Sequence, residues 1–231
     1  MTMKKTLLLI SLALLPLSGN ASVLTTGLDA PARRALEAIQ CAGLTPKLLL
    51  IADMTKPKDS PRLRVLDLDT GNTVLVDYVA HGVGSGTDVP RRFSNVEGSL
   101  ATSLGLYRIS ERYQGISGWS RRLDGLTPGW NTNARQRAVV MHPATYVRPG
   151  RVGRSEGCPA VRNEVLVSLE KRGLSDAVLW IDGGKAVETC STGNPLPLIW
   201  NRRVKENRCL VNNLKWPSSS SFDQQKWFAN N

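Results

Sequence analysis

The chain is predicted to be a mainly-β domain, and three observations predict it. Apolar runs of strand length recur between residues 48 and 181. Clusters of Gly, Asn, Asp and Pro punctuate them. Only two stretches carry the three- and four-residue spacing of a helix. Short runs bounded by turn formers are the pattern of strands, and few helices leave the sheet as the main layer.

In chain order, residues 29–43 come first. Ala32, Ala35, Leu36, Ile39 and Gln40 recur at helical steps, with Pro31 near the start and Gly43 just past the end, the expected asymmetry of a helix. Strands are expected at Leu48–Asp53, Leu63–Leu68 and Thr73–Ala80, the last two separated by the turn signal Asp69-Thr70-Gly71-Asn72. Leu104–Ile109 and Arg137–Met141 read as two more. Asn163–Arg172 reads as a short helix, with Asn163 as cap and Gly173 past its end. Ala177–Ile181 is expected to be the last core strand. Residues 187–231 are rich in Asn, Ser and Pro and include the serine run Ser218–Ser221, while Trp200, Trp216 and Trp227 predict partial docking of this tail.

The N-terminus carries an address. Lys4 and Lys5 precede an apolar run from Thr6 to Leu17, followed by Ser18-Gly19-Asn20-Ala21. The run is short for a membrane span. A basic start, a short apolar core and small residues at its end predict a secretory signal peptide, residues 1–21, cut after Ala21. The mature chain, about 210 residues, is expected in the periplasm without stable membrane insertion, as one domain and a monomer. The formal charge is +11, which favours anionic partners. Nucleic acid is excluded as a partner, because no compact Lys/Arg run interleaves with aromatics. Two histidines and four scattered cysteines have no zinc spacing, so neither metal nor organic cofactor is expected.

Chemistry concentrates at Cys158, sixteen residues after His142. A thiol attacks a carbonyl as its thiolate, and a nearby imidazole can remove the proton and later return it to a leaving amine. Gly157, just before the cysteine, permits unusual dihedrals that aim backbone N–H groups at an oxyanion. The competing reading is a buried or disulfide-bonded Cys158 and a core His142. If Cys158 is the nucleophile it is free, and Cys41, Cys190 and Cys209 remain. A Cys190–Cys209 bridge is expected because it closes the shortest loop, with Cys41 buried as a small hydrophobe. Pairing of Cys41 with a tail cysteine is the alternative.

The wider pattern is a resemblance. Val139-Val140-Met141-His142 with Gly150-Arg151-Val152-Gly153-Arg154-Ser155-Glu156-Gly157-Cys158-Pro159-Ala160 resembles the active-site segment of the murein L,D-transpeptidase catalytic domain family. Upstream, His81-Gly82-Val83-Gly84-Ser85-Gly86, Arg92-Phe93-Ser94-Asn95, Gly98-Ser99, Ser103-Leu104-Gly105-Leu106-Tyr107 and Arg122-Leu123-Asp124-Gly125-Leu126 extend it over roughly residues 47–183. Two departures stand out. Glu156 replaces the histidine of the better-known Ser-His-Gly-Cys, as in a branch of the family, and Pro143 replaces the usual glycine after the active-site histidine. An arginine that often follows the cysteine closely is here no nearer than Arg162.

The resemblance implies a β-sandwich-like fold with a few short helices, divided as an N-terminal helical segment (22–46), a catalytic domain (47–185) and a tail (186–231). It implies a cysteine acyl-transferase acting on peptidoglycan stem peptides, with Cys158 as nucleophile, His142 as base and the Gly157 backbone as oxyanion donor. His81, Ser155 and Arg154 are the expected substrate-binding residues, each against a structural alternative: a hydrogen bond for His81, a turn for Ser155, a solvated charge for Arg154. Hydrolysis of the same bond, as a carboxypeptidase or endopeptidase, is the near alternative. A non-catalytic wall-binding module is the distant one.

Overall fold

The computed structural model describes residues 28–189. The expected signal peptide and nearly all of the tail, with Cys190, Cys209, the serine run and the three tail tryptophans, lie outside the described residues. Helix α1 spans Ala30–Cys41. Strands β1 (Leu48–Asp53), β2 (Leu63–Asp67) and β3 (Thr73–Asp77) follow, then β4 (Gly105–Gly115), β5 (Gly118–Gly125) and β6 (Val140–Pro143). A small hairpin pairs β7 (Val147–Arg148) with β8 (Arg151–Val152). Strand β9 (Ala160–Val161), helix α2 (Asn163–Lys171) and β10 (Ala177–Asp182) complete the fold.

The mainly-β class holds. One continuous eight-stranded sheet runs in the order β3-β2-β1-β10-β4-β5-β6-β9. Its centre joins β1 and β10 in parallel, Leu48 beside Ala177 through Asp53 beside Asp182. Both strands are buried at every position, which is why both are apolar throughout rather than alternating. Trp180 is fully buried in β10, and an aromatic of that size contributes heavily to a core.

Helix α1 begins where Asp29 accepts from the Ala32 N–H at 3.1 Å, an N-cap typically worth about 1 kcal/mol. Its alanine face (Ala32, Ala35, Ala38) with Ile39 is buried, and small side chains let the helix sit close to the sheet. Arg34 clamps it there, donating to both carboxylate oxygens of the fully buried Asp182 at 2.8 and 2.9 Å. Truncating Arg34 would strand that carboxylate, a loss of about 3–5 kcal/mol.

Helix α2 starts one residue away from its expected cap. Arg162 is the N-cap and Asn163 is already helical, with no side-chain capping bond. Arg162 instead forks onto Asp77, which it approaches to 3.0 Å through Nε, so this arginine ties α2 to the end of β3. Arg121 of β5 likewise forks onto Glu170 of α2, at 2.8 and 2.6 Å.

The cysteines correct an expectation. Cys41 is disulfide-bonded, whereas Cys158 is free. Cys41 is therefore not a buried free thiol. The expected Cys190–Cys209 pairing lies outside the described residues.

Candidate active site

Cys158 lies on the turn between β8 and β9, beside the start of β6. The parallel register of β6 and β9 sets His142 opposite Ala160, which brings Cys158 level with Val140. The Val140 N–H points at Sγ from 3.5 Å, and Sγ faces the Ala138 carbonyl at 3.9 Å. Val140 and His142 are two residues apart on one strand, so their side chains share a face, about 7 Å along the chain. Met141, between them, belongs to the core on the other face. The strand thus carries His142 two residues from the backbone N–H that meets Sγ.

The turn is held by buried polar groups. The Ser155 hydroxyl donates to the Cys158 carbonyl at 2.6 Å and accepts from the Gly157 N–H at 3.2 Å. Ser155 also pairs with Gly82 across a parallel bridge, its N–H donating to the His81 carbonyl at 2.8 Å and its carbonyl accepting from Val83 at 2.7 Å. Gly82 must be glycine here. An added Cβ would lie 2.2 Å from the Leu100 carbonyl oxygen and 2.8 Å from the Gly157 backbone. Gly157 itself has φ +123°, a conformation open to glycine.

Several expected roles change in this setting. His81 is fully buried and does not line a groove. Its Nδ1 accepts from Arg62 at 2.7 Å, and its Nε2–H donates to the Gly86 carbonyl at 3.1 Å. Burial, then the Arg62 charge, push its pKa down to about 4, so it is a neutral structural imidazole. Ser155 is buried, and its hydroxyl is committed to the turn. Arg154 is exposed, and one guanidinium N–H donates to the Gly86 carbonyl at 3.1 Å. The Gly157 N–H, the expected oxyanion donor, is occupied by Ser155. The Cys158 N–H is the open one, having no hydrogen-bond partner among the described residues.

The electrostatics describe a neutral resting pair. Burial pushes the Cys158 thiol up, the Val140 N–H and Arg137 pull it down, and Glu156 adds to the rise. Burial also lowers His142, against a hydrogen bond to the Pro143 carbonyl. That bond, at 3.0 Å from Nδ1, fixes the proton on Nδ1 and leaves the Nε2 lone pair to act as a base. Among the described residues no hydrogen bond joins Sγ to this ring. Catalytic hydrogen bonds are often long before substrate binds.

Sequence reasoning missed Arg137 and Arg62. Arg137 donates to the carbonyls of Ser94 (2.8 Å) and Ala101 (2.7 Å) and to the hydroxyls of Ser99 (3.2 Å) and Ser103 (3.3 Å). It binds residues 94–103 behind the turn and supplies positive charge to the thiol. Arg62 is almost wholly buried and donates to the Val79 carbonyl at 2.9 and 3.0 Å as well as to His81. Neither arginine stands in a local pattern that marks it. Among the described residues, no cluster of three or more His, Cys, Asp or Glu is placed to hold a metal ion.

The chain belongs to the L,D-transpeptidase catalytic domain family, whose sequence profile matches residues 27–181. No curated protein sequence matches it. Among solved structures it is similar to an L,D-transpeptidase from Mycobacterium smegmatis, at 12% identity and TM-score 0.38, covering 59% of this chain and 59% of that one. It is also similar to an L,D-transpeptidase from Stackebrandtia nassauensis, at 13% identity and TM-score 0.39, covering 64% and 66%. A third is L,D-transpeptidase 3 from Mycobacterium tuberculosis, at 11% identity and TM-score 0.39, covering 59% and 61%. The match spans less than two thirds of each of these chains.

Proposed function

We propose that this chain is an exported cysteine acyl-transferase that works on peptidoglycan stem peptides through a thioester on Cys158. One observation carries the reading. In a member of this family, a free cysteine whose own N–H is unpartnered among the described residues meets the backbone of β6 at Val140, two residues from His142, whose Nε2 is open.

Cys158 Sγ attacks the carbonyl at the L-configured centre of the diaminopimelate residue while His142 Nε2 takes the thiol proton. The Cys158 N–H faces the developing oxyanion. Collapse breaks the bond to the terminal D-alanine, whose nitrogen receives the proton from His142. An acceptor amine then attacks the thioester, loses a proton to His142 and restores the thiol. A second stem peptide as acceptor gives a 3–3 cross-link, and water gives hydrolysis. The resting pair is neutral, so proton transfer accompanies attack rather than preceding it. The basic start and short apolar run of residues 1–21 support the periplasm as the site of this work.

The test is mass spectrometry of purified muropeptides incubated with the wild type and with Cys158→Ala. Cross-linked dimers from the wild type and none from a folded variant are expected. Tripeptide without dimer would assign hydrolysis instead. A carbapenem should add its mass to the wild type only. A wild type that forms neither adduct nor product would overturn the reading.

A further inference from the structure

A depression of about 410 Å3 opens beside the β7–β8 hairpin, lined by Lys58, Tyr146, Arg148, Arg151, Val152 and Gly153. Three of these side chains are cations and none is acidic. Lys58 is already matched, with Nζ 2.8 Å from both carboxylate oxygens of Asp59, and Asp59 also accepts from the Val152 N–H at 2.6 Å. The two guanidiniums are not matched. Arg148 donates to the Thr145 carbonyl at 3.1 Å, and neither Arg148 nor Arg151 has a carboxylate partner among the described residues.

The hairpin that carries these cations is anchored to the main sheet. Val147 and Val152, the neighbours of Arg148 and Arg151, are buried in a small apolar cluster with Ala80 and Ala160, which fixes the hairpin to the main sheet. Tyr146 is a shared wall. It packs on Gly153, where an added Cβ would lie 2.9 Å from its ring. Its hydroxyl is pushed up to about 12 by burial, then by the charges of Cys158 and Glu156.

We propose that this depression is a subsite in which Arg148 and Arg151 bind a carboxylate of the substrate peptide while another part of that peptide lies at Cys158. The inference rests on the stem-peptide reading above. A guanidinium offers parallel N–H donors that match a planar carboxylate, and two exposed ones beside one cavity with no acidic lining residue are open to an external anion. The charge of Glu156 acts on Cys158 and disfavours a second carboxylate beside the thiol.

The test compares the wild type with the Arg148→Gln/Arg151→Gln double variant on a stem tetrapeptide and on the same peptide with its carboxylates amidated. KM for the native peptide should rise by roughly 10- to 100-fold, since hydrogen bonds to charged groups are the stronger kind, while kcat changes far less. The amidated peptide should bind both proteins equally weakly. Alkylation of Cys158 by iodoacetamide at the wild-type rate would show the site intact. Calorimetric titration of the peptides into proteins carrying Cys158→Ala, with and without the two arginine changes, reads the same difference without turnover. A charge-dependent loss of binding there supports the subsite even if no product forms, in which case only the transferase reading falls. Turnover with equal KM in both proteins overturns the subsite alone. Displacement of the peptide by inorganic phosphate at lower concentration than by acetate also overturns it, by assigning a phosphate site.

Discussion

The segment after β3 and the end of β6 each present a histidine, His81 in the loop and His142 within the strand, and the two surroundings assign opposite work. At His81 both ring nitrogens are committed, the side chain is fully buried, and a buried arginine holds it neutral. At His142 one nitrogen is committed to a carbonyl and the other is open, two residues along β6 from the backbone N–H that meets the thiol. What separates a structural histidine from a candidate base is therefore the state of its second nitrogen.

The sharpest way to break this comparison is to remove each ring. His142→Ala should lower carbapenem acylation of Cys158 at neutral pH by about 10²–10⁴-fold, the usual range for a general base, with little change in the urea midpoint. An unchanged acylation rate would make His142 structural as well. His81→Ala should act the other way, through stability. It removes an acceptor from a buried guanidinium and opens a cavity, a cost of about 2–4 kcal/mol visible in urea unfolding. An unperturbed midpoint would contradict the packing argument.

Acid sharpens the same contrast. His81 is held at about 4 in the fold, against roughly 6.5 when unfolded. Above pH 6.5 both states are neutral and its full contribution is present. As the pH falls towards 4, the unfolded chain takes a proton that the fold refuses. Stability should therefore drop by up to about 3 kcal/mol across that window. His142, also lowered by burial, adds in the same direction. Urea midpoints at pH 7 and pH 4 should converge more closely in His81→Gln than in the wild type. The smallest effect is expected at Glu156, whose charge raises the thiol. Glu156→Gln should speed iodoacetamide labelling at neutral pH by roughly two- to threefold, as for a charge acting through a water-like dielectric. A slower rate would reverse the sign assigned to that carboxylate.

Much of this fold was legible because burial writes itself into hydrophobicity. Strands β1 and β10 are buried on both faces, so their residues are apolar in unbroken runs. Strand β5 escaped notice because Gly118, Trp119, Ser120, Arg121 and Arg122 offer no such run, and β4 continues past Ile109 through the polar Ser110-Glu111-Arg112 to Gly115. That hairpin is laced instead by cation–aromatic contacts, Arg112 over Trp119 at 4.0 Å and Arg122 over Tyr113 at 4.5 Å. Strand β6 begins later than its apolar pattern because Ala138 turns through φ +52°. In the candidate site, Cys158 and His142 stood out by motif and resemblance. The working state of a backbone N–H did not, since whether Gly157 or Cys158 offers its amide depends on where one serine hydroxyl points. Arg62 and Arg137 act through carbonyls scattered over distant loops, and such partners leave no spacing to read.

The parallel seam at the middle of the sheet also governs when the molecule can exist. Leu48 to Asp53 pair with Ala177 to Asp182, so an early segment waits for one near the end of the described chain before the central strands can close. Such non-local pairing is slow to form, because the intervening loop must be ordered before the contact stabilises it. A nascent chain lacking β10 cannot close the centre of the sheet, so β1 and β4, the two neighbours of β10, are joined only once residues 177–182 have been made.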